Sequence, residues 1–213
     1  MSIFNKETTD QLTEILSKLT NEVNLVYFHQ ETDCPTCEET LKFLNEMIAL
    51  SDKIKLEVLN FANEKEKAVS FGINKVPAIV ITDKDKTDRG IRFYGAPAGY
   101  EINSFLASLF EASGLSEPLP ADILNRVKLI DKEIYIQVFV TPSCPHCPGA
   151  VVTAHKLAFE NKNITADMVE CTVFPNEASK YNVSGVPKII INEKHELVGN
   201  QPITAFLETI EQL

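Results

Sequence analysis

Four of the five cysteines in this 213-residue chain fall into two pairs, Cys34-Pro-Thr-Cys37 and Cys144-Pro-His-Cys147; the fifth is Cys171. Disulfide exchange needs a thiolate that attacks a disulfide sulfur and a second thiol that resolves the mixed disulfide. Two cysteines in a Cys-x-x-Cys pair at the start of a helix supply both. The first sits at or just before the first turn. There, free backbone N–H groups and the helix dipole bring the thiol below its free pKa of about 8.5. The second lies on the first turn and nearer the interior. Cys34 and Cys144 are therefore the expected nucleophiles, and Cys37 and Cys147 the expected resolving thiols. The reactive groups would be the redox-active disulfides Cys34–Cys37 and Cys144–Cys147, with no bound cofactor.

Zinc is the competing chemistry for two cysteine pairs. Four-cysteine zinc sites usually join pairs about 15–20 residues apart. Here Cys144 follows Cys37 by 107 positions, so no metal is expected. Permanent structural disulfides are also disfavoured, because so short a ring removes little chain entropy.

The neighbours of the two pairs differ. Pro35 and Pro145 fit an N-terminal helical position, where a missing N–H costs nothing. His146 beside Cys144 would stabilise its thiolate and make the second centre more oxidising; the alternative is an exposed surface histidine. Thr36 offers only a hydroxyl. Asp33 next to Cys34 would raise that thiol's pKa by like charge. The second centre is thus expected to have the higher reduction potential. Cys171 reads either as a buried inert thiol or as a third redox partner. His29 ends the apolar run leading to the first pair, so a contact with that pair is open. His155 and His195 are scattered and suggest no metal cluster.

The elements that must position these residues are written twice. A shift of 110 places Cys34 on Cys144 and Phe71-Gly-Ile-Asn-Lys-Val-Pro-Ala-Ile-Val-Ile81 on Tyr181-Asn-Val-Ser-Gly-Val-Pro-Lys-Ile-Ile-Ile191. Each first cysteine therefore stands 43 residues before the proline of a Val-Pro pair, Val76-Pro77 or Val186-Pro187. A proline heading a buried strand suits a turn or a cis bond. A cis bond would set the ring beside the cysteines and leave the backbone of Val76 or Val186 open to a substrate strand. A trans proline at a strand start is the other reading. The offset falls to 104 between Gly95 and Gly199, which implies a shorter final hairpin in the second copy.

Apolar runs at 23–29 and 134–140 read as buried strands before each pair. Further strands are expected at 54–58, 78–81, 168–171 and 188–191. Helical spacing follows each pair at Leu41, Leu44 and Ile48, and at Val151, Ala154 and Ala158. A helix also opens and closes each copy. The order is α–β–(Cys-x-x-Cys)–α–β–α–β–β–α, an α/β arrangement with a mixed sheet covered on both faces. The segment Ser113-Gly-Leu-Ser-Glu-Pro-Leu-Pro120 is the natural boundary, giving units 1–116 and 117–213.

Thirty acidic against twenty basic residues give a net charge of −10, which argues against nucleic acid and against an anionic membrane surface. No apolar run is long enough to span a membrane. The N-terminus shows no secretory pattern, so a cytoplasmic protein is expected.

Taken together, Cys34-Pro-Thr-Cys37, Arg92-Phe-Tyr-Gly-Ala-Pro-Ala-Gly99, Phe139-Val-Thr-Pro-Ser-Cys-Pro-His-Cys-Pro148, Asp167-Met-Val-Glu170 and Tyr181 to Ile191 make the chain resemble a known family. It is the glutaredoxin-like protein disulfide oxidoreductases of thermophilic archaea and bacteria. The resemblance covers nearly the whole length. It implies two tandem thioredoxin-like folds and dithiol–disulfide exchange on protein thiols and disulfides, by oxidation, reduction or isomerisation. It also implies cis prolines at Pro77 and Pro187, recycling by a thioredoxin-reductase-like flavoprotein, and a more active second centre. Two departures stand out. Thioredoxins carry a Trp before the first cysteine, where this chain has Asp33 and Ser143. They also carry a buried Asp six residues before it, where this chain has Phe28 and Val138, so the resolving cysteine needs another proton acceptor. Two narrower roles stay open: electron donor to a peroxiredoxin, and redox-sensing binding module.

Overall fold

The computed structural model describes residues 2–213. The two apolar runs before the cysteine pairs are central strands, β1 (Val23–His29) and β5 (Ile134–Val140). Alternation divides β1 between two cores. Val23, Leu25 and Tyr27 face the larger one, and Val26 and Phe28 the smaller. Each central strand continues through its cysteine pair into a helix, α2 (Cys37–Ile48) or α6 (Cys147–Glu160), and returns as a parallel strand, β2 (Ile54–Asn60) or β6 (Ile164–Glu170). Short helices α3 (Lys65–Ser70) and α7 (Pro175–Lys180) lead into the final hairpins. These are β3 (Ala78–Thr82) with β4 (Asp88–Tyr94), and β7 (Lys188–Ile191) with β8 (His195–Val198). Helices α1 (Lys6–Leu16) and α5 (Ala121–Lys128) precede the copies; α4 (Ile102–Ser113) and α8 (Ile203–Glu211) close them.

The expected short strand at 168–171 is longer and begins earlier, so Cys171 lies just past the end of β6. Alternation there is hidden because six of the seven β6 residues are buried, whereas β2 alternates against solvent. The second hairpin is shorter, as expected. Its turn places Asn192 and Glu193 at φ 46° and 62°.

The two sheets are one. Strand order is β2-β1-β3-β4-β6-β5-β7-β8. The last strand of the first copy, β4, pairs in parallel with β6, in register Ile91↔Ala166, Arg92↔Asp167, Phe93↔Met168 and Tyr94↔Val169. This pairing satisfies two backbone edges that would otherwise be open. The larger core is continuous across the seam, drawing on α1, α2 and α4 from one side and α5, α6 and α8 from the other. Phe93 packs edge-on against Phe105 (5.5 Å) and against His155 of α6 (4.8 Å). Ser108 hydrogen-bonds His155 at 3.0 Å, and Lys156 pairs with Glu111 at 3.0 Å. Burial pushes His155 down to about 3, so it is a neutral core residue.

Some polar groups are buried at the seam. Arg92 donates from Nε to the Phe71 carbonyl (2.6 Å) and from Nη2 to Asp88 (3.2 Å). Tyr135 donates to Asp167 at 2.5 Å, and burial raises the Asp167 carboxyl above the usual range. Gly90 lets the backbones meet. It sits at φ +72°, and a Cβ there would fall 2.5 Å from the Ile164 carbonyl oxygen. Gly90→Ala should therefore cost roughly 1–3 kcal/mol from the left-handed backbone alone, plus the clash. Thermal or urea unfolding reads this; an unchanged midpoint would show that β4 and β6 do not meet so closely.

Candidate active sites

Both cysteine pairs are disulfides at the C-terminal ends of β1 and β5. Cys34–Cys37 has an S–S distance of 2.06 Å and a Cα–Cα distance of 5.4 Å; the Cα–Cα distance of Cys144–Cys147 is 5.5 Å. Each helix begins at its resolving cysteine, with Thr36 and His146 in the capping position. Neither residue caps with its side chain; the Cys37 amide donates to the Cys34 carbonyl at 3.2 Å. Burial orders the sulfurs as expected in the first pair: Cys37 is buried and Cys34 half-exposed. In the second pair Cys144 is also buried, at 8% exposure. Pro35 and Pro145 stand in the turn ahead of the cap rather than in the helix; Pro148 takes the first helical turn of α6 instead. They still stiffen the approach to each nucleophile.

Val76-Pro77 and Val186-Pro187 are both cis. Pro77 and Pro187 are buried, and Val76 and Val186 are half-buried. The carbonyl oxygen of Val186 lies 3.7 Å from Cys144 Sγ, so Cys144 stands beside the proline backbone. The carbonyls of Pro77 and Pro187 each accept from a glycine amide of the following strand end, Gly95 at 3.1 Å and Gly199 at 2.8 Å. The two glycines are thus equivalent in space despite their broken sequence offset.

The strands β1 and β5 run the same way, with β3, β4 and β6 between them. Four strand spacings put the two pairs about 19 Å apart along one end of the sheet. They cannot share a single zinc ion.

Sheet register corrects one expectation. Phe28 pairs with Ala78, and Phe139 pairs with Lys188, in each case the residue after the cis proline. Phe28 therefore matches Phe139, and Tyr27 matches Val138. The residue under the first pair is Tyr27, not Phe28. Alignment on the cysteines is off by one because four residues, 30–33, separate β1 from Cys34, whereas three, 141–143, separate β5 from Cys144. Asp33 takes up the extra residue at φ 55°. Tyr27 is fully buried and donates from its hydroxyl to the Cys37 carbonyl at 2.7 Å.

A buried carboxyl missed in the sequence lies on a turn that packs on the loop before the second pair. The single-turn helix Gly99–Glu101, from the first copy, packs on the loop before Cys144 and on α6. Tyr100 donates its amide to the Pro142 carbonyl at 2.9 Å. Gly99 has φ +60°, and a Cβ there would fall 2.3 Å from the same oxygen. Glu101 is 1% exposed, accepts from Ser104 at 2.5 Å, and leaves Oε1 without a partner. Burial pushes its carboxyl up to about 7, with Ser104 pulling the other way. The only sequence signal was a glycine-bearing turn far along the chain from the loop it meets.

The remaining candidates separate cleanly. His146 is exposed and makes no side-chain hydrogen bond. Burial, with Glu170 adding to it, pushes the half-buried Cys171 thiol up to about 11, which makes it inert at neutral pH. His195 is exposed on β8, far along the sheet from either pair.

The thioredoxin domain profile matches residues 24–107 and again 134–212. Among solved structures, the alkylhydroperoxide reductase AhpF of Enterococcus faecalis superposes with a TM-score of 0.90 at 30% identity, over 97% of this chain and 99% of that one. A protein disulfide oxidoreductase from Aeropyrum pernix superposes with a TM-score of 0.89 at 28% identity, over 97% and 92%. A curated relative, NADH dehydrogenase of Bacillus subtilis, is 26% identical over 182 residues, which is 85% of this chain and 33% of the relative. The chain thus spans about a third of the curated relatives it matches. Two matched repeats, two Cys-x-x-Cys disulfides at helix starts and a cis proline facing each agree: the chain belongs to the thioredoxin-domain family.

Proposed function

We propose that this protein catalyses dithiol–disulfide exchange on proteins, acting as a protein disulfide oxidoreductase in a cytoplasmic setting. The observation that carries the reading is an assembly present twice along one end of the sheet: a Cys-x-x-Cys disulfide at a helix start beside a cis Val-Pro. The likeness to the Aeropyrum oxidoreductase supports it. We also read the chain as two units, 1–116 and 117–213, meeting in the segment between α4 and α5.

In the reducing direction, the thiolate of Cys34 or Cys144 attacks a substrate disulfide and one substrate thiolate leaves. Cys37 or Cys147 then loses its proton and attacks the mixed disulfide. The enzyme disulfide forms as the second substrate sulfur departs. Oxidation is the same path reversed, and release before resolution permits isomerisation. Val76 and Val186 offer backbone to an extended substrate segment. At the second centre Glu101 takes the proton of Cys147. A carboxyl near 7 is matched to that task, whereas an ordinary carboxylate is too weak a base. Electrons would come from an NAD(P)H-linked, thioredoxin-reductase-like flavoprotein.

A second reading has one observation in its favour. The similarity to an alkylhydroperoxide reductase spans nearly the whole chain, which supports delivery of electrons to a peroxiredoxin. Turnover with a peroxiredoxin but not with insulin would select that role. No turnover with either would select a redox-sensing binding module.

Insulin reduction is expected to be abolished by Cys144→Ser and only reduced by Cys34→Ser; the reverse order would overturn the assignment of Cys144 as the main nucleophile. Cys147→Ser and Cys37→Ser should each accumulate mixed disulfides with client proteins. The potential of the Cys144–Cys147 couple, read in Cys34→Ser, should exceed that of Cys34–Cys37, read in Cys144→Ser. About 30 mV is a tenfold change in equilibrium constant; equal potentials would remove the role given to His146.

Glu101→Gln should slow turnover at the second centre about tenfold or more and erase an inflection near pH 7. The same change has a stability signature. A carboxyl raised in the folded state favours folding while neutral, fully below about pH 4.5, and loses that contribution as pH rises through about 7. The shift corresponds to roughly 3 kcal/mol across that window. Glu101→Gln should flatten this fall, and urea titrations at pH 5 and pH 8 would show it.

A further inference from the structure

We propose that the first centre uses His29 as the proton acceptor for Cys37, a different group from the carboxyl that serves the second. The inference deepens the proposed exchange chemistry and rests on it. His29 is the last residue of β1 and is half-buried. Its ring stacks on that of Tyr27, with centroids 5.9 Å apart and planes 15° apart. Tyr27 in turn holds the Cys37 carbonyl at 2.7 Å. The imidazole is thus anchored, through one aromatic ring, to the first residue of α2. It lines a cleft of about 500 Å³ together with Cys34, Cys37, Glu31 and Glu38.

The two centres are complementary in this respect. In sheet register His29 pairs with Asn60, and Val140 pairs with Glu170, so the second centre has valine where the first has histidine. Conversely, the turn carrying Glu101 packs on the loop before Cys144 and on α6 because β4 lies against β6. On the first copy β2 is the outer edge of the sheet among the described residues.

Other groups near the first pair are poorer acceptors. Burial raises the Tyr27 phenol well above its usual value, and its proton is held on the Cys37 carbonyl. The Thr40 hydroxyl donates to the Thr36 carbonyl at 2.8 Å. Glu31 from the loop and Glu38 from α2 face the cleft, and Asp33 is exposed nearby. Lys65 of α3 lines an adjoining apolar pocket with Gln30, and β2 contributes only the neutral Asn60 beside His29. Toward a thiol, an imidazole is by its chemistry a better-matched general base than a solvated carboxylate.

The step balances without another reactant. His29 takes the Cys37 thiol proton, directly or through one cleft water. The Cys37 thiolate attacks Cys34 Sγ, and the Cys34–Cys37 bond forms as the Cys34–substrate bond breaks. The electron pair leaves on the substrate sulfur, which is protonated by the imidazolium or by water.

The test uses the full chain carrying Cys144→Ser and Cys147→Ser, so that only the first centre reacts. Reduced protein is mixed with dithiobis(nitrobenzoate) in a stopped-flow instrument. Attack by Cys34 releases one thionitrobenzoate, and resolution by Cys37 releases the second. The second rate should show an inflection between about pH 5 and 8, the window in which histidine changes charge. His29→Phe keeps a ring on Tyr27; it should lose that inflection and slow the second release at least about tenfold at pH 7. Profiles that superimpose, or a slowing equal at every pH, would overturn the proposal. If His29→Phe does not fold, His29→Gln is read in the same way. The reagent is not a protein, so failure of the insulin assay would count against the proposed function alone.

Discussion

The parallel pairing of β4 with β6 is the contact on which the rest depends. A thioredoxin-like unit that ends in a hairpin exposes the outer strand of that hairpin, and one that begins with a βαβ crossover exposes its second parallel strand. Here each edge covers the other. Backbone groups that would bond water or a stray strand are satisfied inside one eight-stranded sheet. The pairing is sterically open because Gly90 admits the Ile164 carbonyl, and it brings α4 against α6 so that one core serves both copies.

That seam also makes the two redox centres unequal. The second lies next to the other copy, whose turn carrying the buried Glu101 packs on its loop, and only Gly99 allows that turn so close to Pro142. The first lies toward a free edge and is built from its own strand, with Tyr27 beneath Cys37 and His29 at the strand end. A repeated sequence has thus become two environments. The cause is topological: fusing two like units edge to edge gives only one of them a neighbour on its β2-like side.

Placement of both centres at one end of a continuous sheet has a consequence for substrates. About 19 Å is too far for direct exchange between the two disulfides. Each must react with clients and reductants on its own account, or a cysteine on a mobile partner must visit both.

Much of this was legible in the residues. Cysteine spacing, the Val-Pro pairs 43 residues on, and the doubled strand and helix patterns encode local geometry, and local geometry follows from local periodicity and turn chemistry. The cis state of Pro77 and Pro187 was open from the residues and was implied by the family resemblance. What the sequence could not carry was contact between segments distant along the chain. It hid the merger of two sheets, because edge pairing is made by backbone that every residue possesses. It misaligned Tyr27, because one extra loop residue shifts a strand's faces without altering its apolar character. It concealed Glu101, because a carboxyl becomes a proton acceptor near neutrality only once other elements have buried it. The two Cys-x-x-Cys centres, and an inequality expected from Asp33 and His146, were legible in the sequence alone; which buried groups surround each was decided by tertiary structure, since the environment of a thiol is set by what packs around it.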